Sequence, residues 1–266
     1  METGETPQAA PRKEPTRVEH TISGYADESI TPKVVVCAAA IFPVTGIAAA
    51  EAALASLKTG LGLPPTTSLH CRVIFHSQAR RGTPWESIDP RDINSSIVNL
   101  CRNLTRIGLR PVVVVAPNSS LLIPGKPGAE SEGTPLDEKG QAAIGFQTLS
   151  FHLAQLHGFG AVKLWIDPDT TKIRWLNGKA QANLTRSSFM DLGPDIEPPR
   201  SEPVIPAGEA KPPLLEVADL YAYVAARAHS AEGGWKDRWF QMVYSVINPE
   251  QLLWGSENQD PKWQNA

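Results

Sequence analysis

The sequence has little cysteine and little net charge, and both shortages exclude classes of protein. Its three cysteines, Cys37, Cys71 and Cys101, are odd in number and show no CxxC spacing. This pattern argues against a disulfide framework and against zinc binding by cysteine pairs. Free thiols are typical of a reducing cytosol, so we expect a cytoplasmic protein. The formal net charge of −3 gives no global attraction to nucleic acid, so any basic groove has to be local.

Several motifs and segment types are also missing. The chain contains no GxGxxG, P-loop, HExxH or GxSxG motif, so it lacks the signatures of dinucleotide-binding, nucleotide-triphosphatase, zinc-protease and serine-hydrolase sites. No apolar run approaches the length of a membrane span. The N-terminus is polar and contains prolines, unlike a secretory signal. We therefore expect no membrane partner, while the sequence leaves the oligomeric state open.

The residues present favour one folded domain. Hydrophobic residues make up 41% of the chain, enough for a sizeable core. We expect residues 1–17 to form a disordered tail, 18–250 a single α/β domain and 251–266 a C-terminal tail. Two stretches rich in proline, 116–135 and 193–213, are predicted loops. Candidate acidic residues lie on both sides of each loop, so we interpret the loops as parts of one domain.

Hydrophobic periodicity predicts a mixed α/β fold. Predicted strands cover residues 20–26, 33–42, 67–74, 110–116 and 161–166. Predicted helices cover residues 46–58, 92–107, 137–157, 172–184, 213–229 and 235–246. The fourth strand is continuously apolar after its first residue, as in a central strand covered on both faces. Asp92 is the predicted N-cap of the second helix, and Gly108 is its predicted C-terminal stop.

Acidic residues lie in or at the ends of several apolar elements, where charge is costly unless a metal ion or a basic partner offsets it. They end the first strand, end the last strand and interrupt the helix at 213–229. These residues are Asp27, Glu28, Asp167, Glu216 and Asp219. Hard oxygen ligands prefer Mg²⁺ or Mn²⁺ to zinc, so the pattern predicts one shared divalent-metal site.

Each acid also has an ordinary explanation. Asp27 and Glu28 are typical of residues that open a turn. Asp167 begins an Asp-Pro-Asp sequence that suits a loop capping the next helix, and Asp219 on a solvent-facing side of its helix would be unremarkable. Neighbouring strand residues point to opposite faces. We therefore interpret Asp27 as a metal ligand and Glu28 as a second ligand or a hydrogen-bonding support.

The order of elements resembles the ribonuclease H-like fold. More narrowly, the chain resembles the family catalogued as domain of unknown function 3800 over about residues 18–231. The resemblance is carried by YADES at 25–29, LLEVADLYAY at 214–223, the Leu69-His70 pair and the WID sequence ending at Asp167. The chain departs from the usual pattern at Glu216, where members commonly have Gln, and at Ile30, where they often have Gly.

The resemblance implies a divalent-metal-dependent nuclease that hydrolyses phosphodiester bonds, with nucleic acid as its substrate class. It implies catalytic roles for Asp27, Glu28, His70, Asp167 and Asp219, and metal ligation by Asp27, Asp167, Asp219 and Glu216. His70 is then a candidate for proton transfer to the leaving group, although a lone histidine is more often structural. The alternative is a non-catalytic interaction protein that keeps the fold.

Basic residues form two further groups, whose members either contact phosphates or belong to a solvated surface. They are Arg80, Arg81, Lys172, Arg174, Lys179 and Arg186.

Overall fold

The computed structural model describes residues 21–118, 122–123, 134–135, 138–157, 162–166 and 211–253. Several predictions fall outside these residues. They are the N-terminal tail, most of the loops at 116–135 and 193–213, Asp167, the helix at 172–184, and residues 254–266 of the predicted C-terminal tail. The basic residues Lys172, Arg174, Lys179 and Arg186 also lie outside the described residues.

The described chain forms strands and helices that we number in chain order. The strands are β1 (Ile22–Ile30), β2 (Val34–Pro43), β3 (Arg110–Pro117), β4 (Leu122–Ile123), β5 (Thr134–Pro135), β6 (Val162–Ile166) and β7 (Glu250–Leu253). The helices are α1 (Ile47–Gly60), α2 (Cys71–Phe75), α3 (Ser77–Arg80), α4 (Pro90–Arg106), α5 (Glu138–His157), α6 (Leu215–His229) and α7 (Trp235–Ile247).

Five strands form one mixed sheet in the order β6-β1-β2-β3-β7. The three central strands are antiparallel, whereas β6 runs parallel to β1 and β7 runs parallel to β3. The prediction of an α/β fold with a mixed sheet flanked by helices is therefore confirmed. The short strands β4 and β5 pair with each other inside the stretch predicted as a loop.

Helices cover both faces of this sheet. Side chains alternate along a strand, so Val36, Ala38 and Ala40 of β2 pack into a core with residues of α1, α4, α6 and α7. Cys37 and Ala39 point the other way, into a second core with α5. We call these the α6 face and the α5 face. None of the helices in the described part of the chain combines the length and apolarity needed to cross a lipid bilayer.

Helix α4 begins earlier than predicted. Asp89 is its N-cap, because the Asp89 carboxylate accepts a hydrogen bond from the Arg91 amide at 2.7 Å. Pro90 occupies the first helical position, where its fixed φ favours the helix and no amide hydrogen is missed. The prediction of Asp92 as N-cap was therefore wrong. Gly108 does follow the helix with φ +98°, as predicted for a glycine stop.

Asp27 and Glu28 lie inside β1, and the prediction that they end the strand was wrong. Ladder pairing with β2 continues through Asp27, opposite Ala38, and on to Ile30. The hairpin instead turns at Thr31, whose hydroxyl accepts a hydrogen bond from the amide of Val34 at 3.0 Å. The pairing with β2 therefore carries both acids further into the sheet than local sequence indicated.

The segment predicted as a strand at 67–74 is not part of the sheet. It contains the short helix α2, whose first turn is closed by hydrogen bonds from the Val73 and Ile74 amides to the His70 carbonyl. Cys71 and Ile74 are buried, and their spacing of three is helical. Local alternation of apolar residues had indicated a period of two instead.

Helix α6 packs on the sheet as predicted. Its apolar face lies against β1 and β2, and the four residues expected to make that contact are all buried in the core: Leu214, Val217, Leu220 and Val224. At the C-terminal side, β7 adds a strand beside β3, where we had placed the beginning of a tail.

Candidate functional site

Asp219 lies on α6 between the buried residues Ala218 and Leu220, and its side chain is 15% exposed. A carboxylate so nearly buried needs hydrogen-bond partners. Asp219 Oδ2 accepts a hydrogen bond from the Cys71 amide at 2.8 Å and lies 3.1 Å from His70 Nδ1. Cys71 is the first residue of α2, and amides at a helix start have no partner within the helix. Asp219 thus joins α6 to the start of α2.

Asp27 reaches the same region from the sheet. Asp27 lies two residues after Tyr25 on β1, so the two side chains point to the same face of the sheet. The Tyr25 side chain packs into the α6-face core. One of the Asp27 oxygens accepts a hydrogen bond from the Glu28 amide at 2.9 Å. This local bond orients the carboxylate at a half-buried position on β1.

The charges of both carboxylates act on the Cys71 thiol. Burial raises its pKa well above the usual range, and the negative charges of Asp219 and Asp27 raise it further, together with a hydrogen bond to Asp219. Asp219 contacts Cys71 directly, and Asp27 acts on the same thiol from β1 through its charge. The same shift keeps Cys71 protonated, which argues against a thiolate nucleophile at this position.

His70 is the third predicted residue at this place. Its ring is 57% exposed, so it is open to solvent while its Nδ1 contacts the Asp219 carboxylate. In a neutral imidazole that donates from Nδ1, the Nε2 atom is an acceptor. An aspartate–histidine pair of this kind fixes the tautomer and suits proton transfer at the exposed nitrogen.

Two other predicted residues have different surroundings. Glu28 lies two residues after Ala26, which packs into the α5-face core. Its side chain therefore points to the α5 face, opposite to Asp27. The Glu216 carboxylate lies 2.7 Å from the Nζ atom of Lys58, whose side chain is only 4% exposed. Glu28 is therefore separated from Asp27 by the sheet, whereas Glu216 lies one helical turn before Asp219 and pairs with Lys58.

The remaining predicted ligand, Asp167, lies outside the described residues. The described part of β6 ends at Ile166, which pairs with Ala26, the residue before Asp27. Within the described ranges, no group of three or more His, Cys, Asp or Glu side chains is arranged to hold a metal ion. The described residues thus supply two carboxylates and one histidine of the predicted site.

A cleft of about 480 Å³ lies next to this site and was not predicted. Tyr223 and Arg227 of α6 line it, one and two helical turns after Asp219. His76 also lines it and contacts the Tyr223 hydroxyl at 3.1 Å and Arg227 Nη2 at 3.3 Å. The spacing 219, 223, 227 was the available signal, because residues four apart share one face of a helix.

The cleft is electropositive. Burial lowers the pKa of His76, and the cations Arg227, Arg72 and Lys236 lower it further. Arg80, one of the predicted phosphate-contacting residues, also lines the cleft and donates a hydrogen bond to the Ile88 carbonyl at 2.8 Å. Arg81 is exposed next to it but does not line the cleft.

Comparison with known proteins adds no further assignment: no family model, no curated protein and no solved structure matches the chain.

Proposed function

We propose that the chain is a divalent-metal-dependent nuclease of the ribonuclease H-like class, related to the domain of unknown function 3800 family. The observation that carries the proposal is that Asp219, bonded to the Cys71 amide, and Asp27, on the same face of the sheet, both act by their charge on the Cys71 thiol. These acids come from a strand and from a helix far apart in sequence. Two carboxylates close together repel each other unless a cation or a proton compensates their charge.

The sheet order supports the same proposal. Strand β1, which carries Asp27, lies between β2 and the parallel strand β6. Asp167 follows the last residue of β6 in the sequence, and Ile166 pairs next to Asp27 in register. Three acids on β1, after β6 and on α6 are the arrangement that the resemblance implies.

The residues fit Mg²⁺ or Mn²⁺ in their chemistry, because both carboxylates offer hard oxygen ligands. Asp27 and Asp219 would hold the ion, with Asp167 as the third ligand. When bound, such an ion lowers the pKa of a coordinated water and stabilises charge on the leaving oxygen. His70, oriented by Asp219, delivers or accepts a proton at Nε2. Phosphodiesters of nucleic acid are the proposed substrate class.

Metal-induced stabilisation tests the proposal directly. We expect saturating Mg²⁺ or Mn²⁺ to raise the melting temperature of the wild-type protein, because a ligand that binds the native state at about 100 times its Kd adds about 2.7 kcal/mol of stability. Asp27→Asn and Asp219→Asn keep the side-chain shape but remove the charge, so both variants are expected to lose this rise.

Asp92→Asn is the matched control, since Asp92 is exposed on α4, and this variant is expected to show the same metal-induced rise in melting temperature as the wild type. A wild-type melting temperature that does not respond to either ion contradicts the metal site. Nuclease assays on single-stranded, double-stranded and hybrid substrates test the chemistry separately.

One observation favours a second candidate, a non-catalytic interaction protein. Asp219 Oδ2 already serves a structural purpose, because it holds the Cys71 amide and contacts His70. Under this alternative, Asp219→Asn changes stability but the wild type hydrolyses none of the substrates, whether or not it binds metal.

A further inference from the structure

The cleft beside Asp219 combines three features of a ligand site. Its volume of about 480 Å³ falls within the range of about 300–1,000 Å³ found for small-molecule sites. It is lined by α2, α3, α4, α6 and α7, so its walls are held by packed helices. Aromatic and basic side chains dominate the walls, among them Phe75, Tyr223, Trp235, Arg227 and Lys236.

The aromatic side chains differ in what they do. Phe75 and Tyr223 stack on each other with ring centroids 5.4 Å apart and an interplanar angle of 10°, and Phe240 packs against both. Together they form a rigid apolar floor. Trp235, at the first position of α7, is 72% exposed. An exposed indole at the edge of a cleft offers a face on which another flat ring can stack.

The charges around the cleft favour an anion. Arg80, Arg227 and Lys236 line it, and the acid among the lining residues is Asp237. The Asp237 carboxylate is engaged by the amides of Glu232 and Gly234 at 2.9 and 3.1 Å, which lowers its pKa. Lys236 Nζ lies 5.7 Å from the centre of the Trp235 ring, so a cation and a stacking surface are adjacent.

Two helices, α6 and α2, run from the acid site to the cleft. Asp219, Tyr223 and Arg227 follow one face of α6, and four residues of helix advance by about 6 Å. Helix α2 connects the same two places, because Cys71 begins it beside Asp219 and Phe75 ends it in the cleft floor. A chain-like substrate lying along α6 would therefore contact both.

We propose that this cleft binds one unpaired nucleotide of a single-stranded nucleic acid, with its base stacked on Trp235 and its phosphate held by Arg227 and Lys236. The proposal rests on the proposed nuclease function, because it gives the substrate of the Asp27–Asp219 site a neighbouring subsite. An unpaired base has an open aromatic face, and stacking on aromatic side chains with phosphate contacts by basic ones is the common mode of single-strand binding.

The test measures binding without hydrolysis. A fluorescein-labelled oligothymidylate is titrated with the full-length protein in EDTA, and its anisotropy gives Kd. We expect Trp235→Ala and Lys236→Gln each to weaken binding about 10-fold, since base stacking and a phosphate contact are effects of this size. Both residues are exposed, so the variants should fold, and unchanged melting temperatures would show it.

Two variants serve as matched controls. Met242→Ala removes an exposed apolar side chain from the same helix α7, and Arg106→Gln removes an exposed positive charge from the far end of α4. Both are expected to bind like the wild type. If Trp235→Ala and Lys236→Gln also bind like the wild type, the cleft is not the subsite.

Competition identifies the ligand class. Unlabelled single strands are expected to displace the probe at least 10-fold better than a duplex of the same length or than polyglutamate. Equal displacement by the duplex overturns the stacking of an unpaired base, and equal displacement by polyglutamate overturns recognition of nucleic acid.

The two proposals, the nucleotide subsite in the cleft and the nuclease function, can be refuted separately. If wild-type protein hydrolyses nucleic acid but the cleft variants bind normally, the subsite is wrong and the function stands. If binding depends on Trp235 and Lys236 but no hydrolysis is found with any metal, the cleft stands and the nuclease proposal fails.

Discussion

The two faces of the sheet are built from alternate residues of the same strands, yet they differ in chemistry. On the α6 face, Asp219 bonds to His70 and to the Cys71 amide, and Asp27 acts on the same Cys71 thiol through its charge. On the α5 face, the neighbouring residues of β1 and β2 are covered by one long helix that packs closely at Gly145. A side chain added at Gly145 would collide with the Cys37 sulfur. One face brings polar groups from several elements together, whereas the other is closed by steric fit.

The largest contrast should appear between Asp27 and its neighbour Glu28. Asp27→Asn is expected to abolish metal-dependent hydrolysis, because it removes a charge that holds the cation on the α6 face. Glu28→Gln is expected to retain hydrolysis, because alternation places this residue on the α5 face. Initial rates with Mg²⁺ and Mn²⁺ measure both variants. Equal loss of activity in the two variants would show that both faces contribute to one site.

Within the site, His70→Ala is expected to slow hydrolysis by about 10²–10⁴-fold, the range for loss of a general acid or base. The variant should still show the metal-induced rise in melting temperature, because the carboxylates remain. Comparing the rate with the melting shift separates proton transfer from metal ligation. A variant that loses both would assign His70 to the metal site itself.

The next largest effect, on stability, is expected at a buried ion pair on the α6 face. The pair Lys58–Glu216 joins α1 to α6, with Lys58 only 4% exposed and also donating to the Pro65 carbonyl. We expect Lys58→Met to lower the free energy of unfolding by about 2–3 kcal/mol, below the loss for a fully buried pair because Glu216 is 22% exposed. Urea denaturation measures the change.

The matched control for Lys58 is the exposed pair of Lys33 with Glu232, at 2.9 Å and with side chains 50% and 76% exposed. Lys33→Met should change stability by less than about 1 kcal/mol. Equal losses in the two variants would mean that burial does not distinguish these ion pairs.

Steric fit on the α5 face is tested at Gly145. Gly145→Ala forces α5 away from Cys37, and we expect a loss of about 1–3 kcal/mol, as for other overpacked cores. Gly60→Ala is the control, because a methyl group there meets no atom within 4 Å. If Gly145→Ala is as stable as the wild type, the α5 face is more adaptable than its packing indicates.

The smallest effect concerns pH at the end of α6. Burial lowers the pKa of His229 below its usual 6.5, so the unfolded chain binds this proton more readily than the folded chain does. The stability that neutral His229 contributes is fully present above about pH 6.5 and is lost as the pH falls through the pKa of the folded state. His229→Gln is expected to flatten this part of the stability profile between pH 7 and pH 5. An unchanged slope would assign the pH dependence to other groups.

The local pattern of apolar residues predicted the bounds of an element wherever one period continued over the whole element. Helix α6 and strand β3 lie close to their predicted bounds, because their apolar residues recur without interruption. Prediction was less accurate where hydrogen bonds between distant segments set the outcome. The register with β2 extends β1 past Asp27, and Asp219 accepts the first amide of α2, in a segment predicted as a strand.

The sequence by itself determined the mixed α/β class, the residue types of a carboxylate site and the placement of Asp219 among apolar neighbours. Periodicity and residue chemistry are local properties, so they can be read without knowing the fold. Only the tertiary structure decided that Asp219 bonds to the Cys71 amide, that Asp27 shares its face of the sheet, that Glu28 faces α5 and that Glu216 pairs with Lys58. It alone revealed the cleft at Trp235, since convergence of five helices on one space depends on packing between segments distant in sequence.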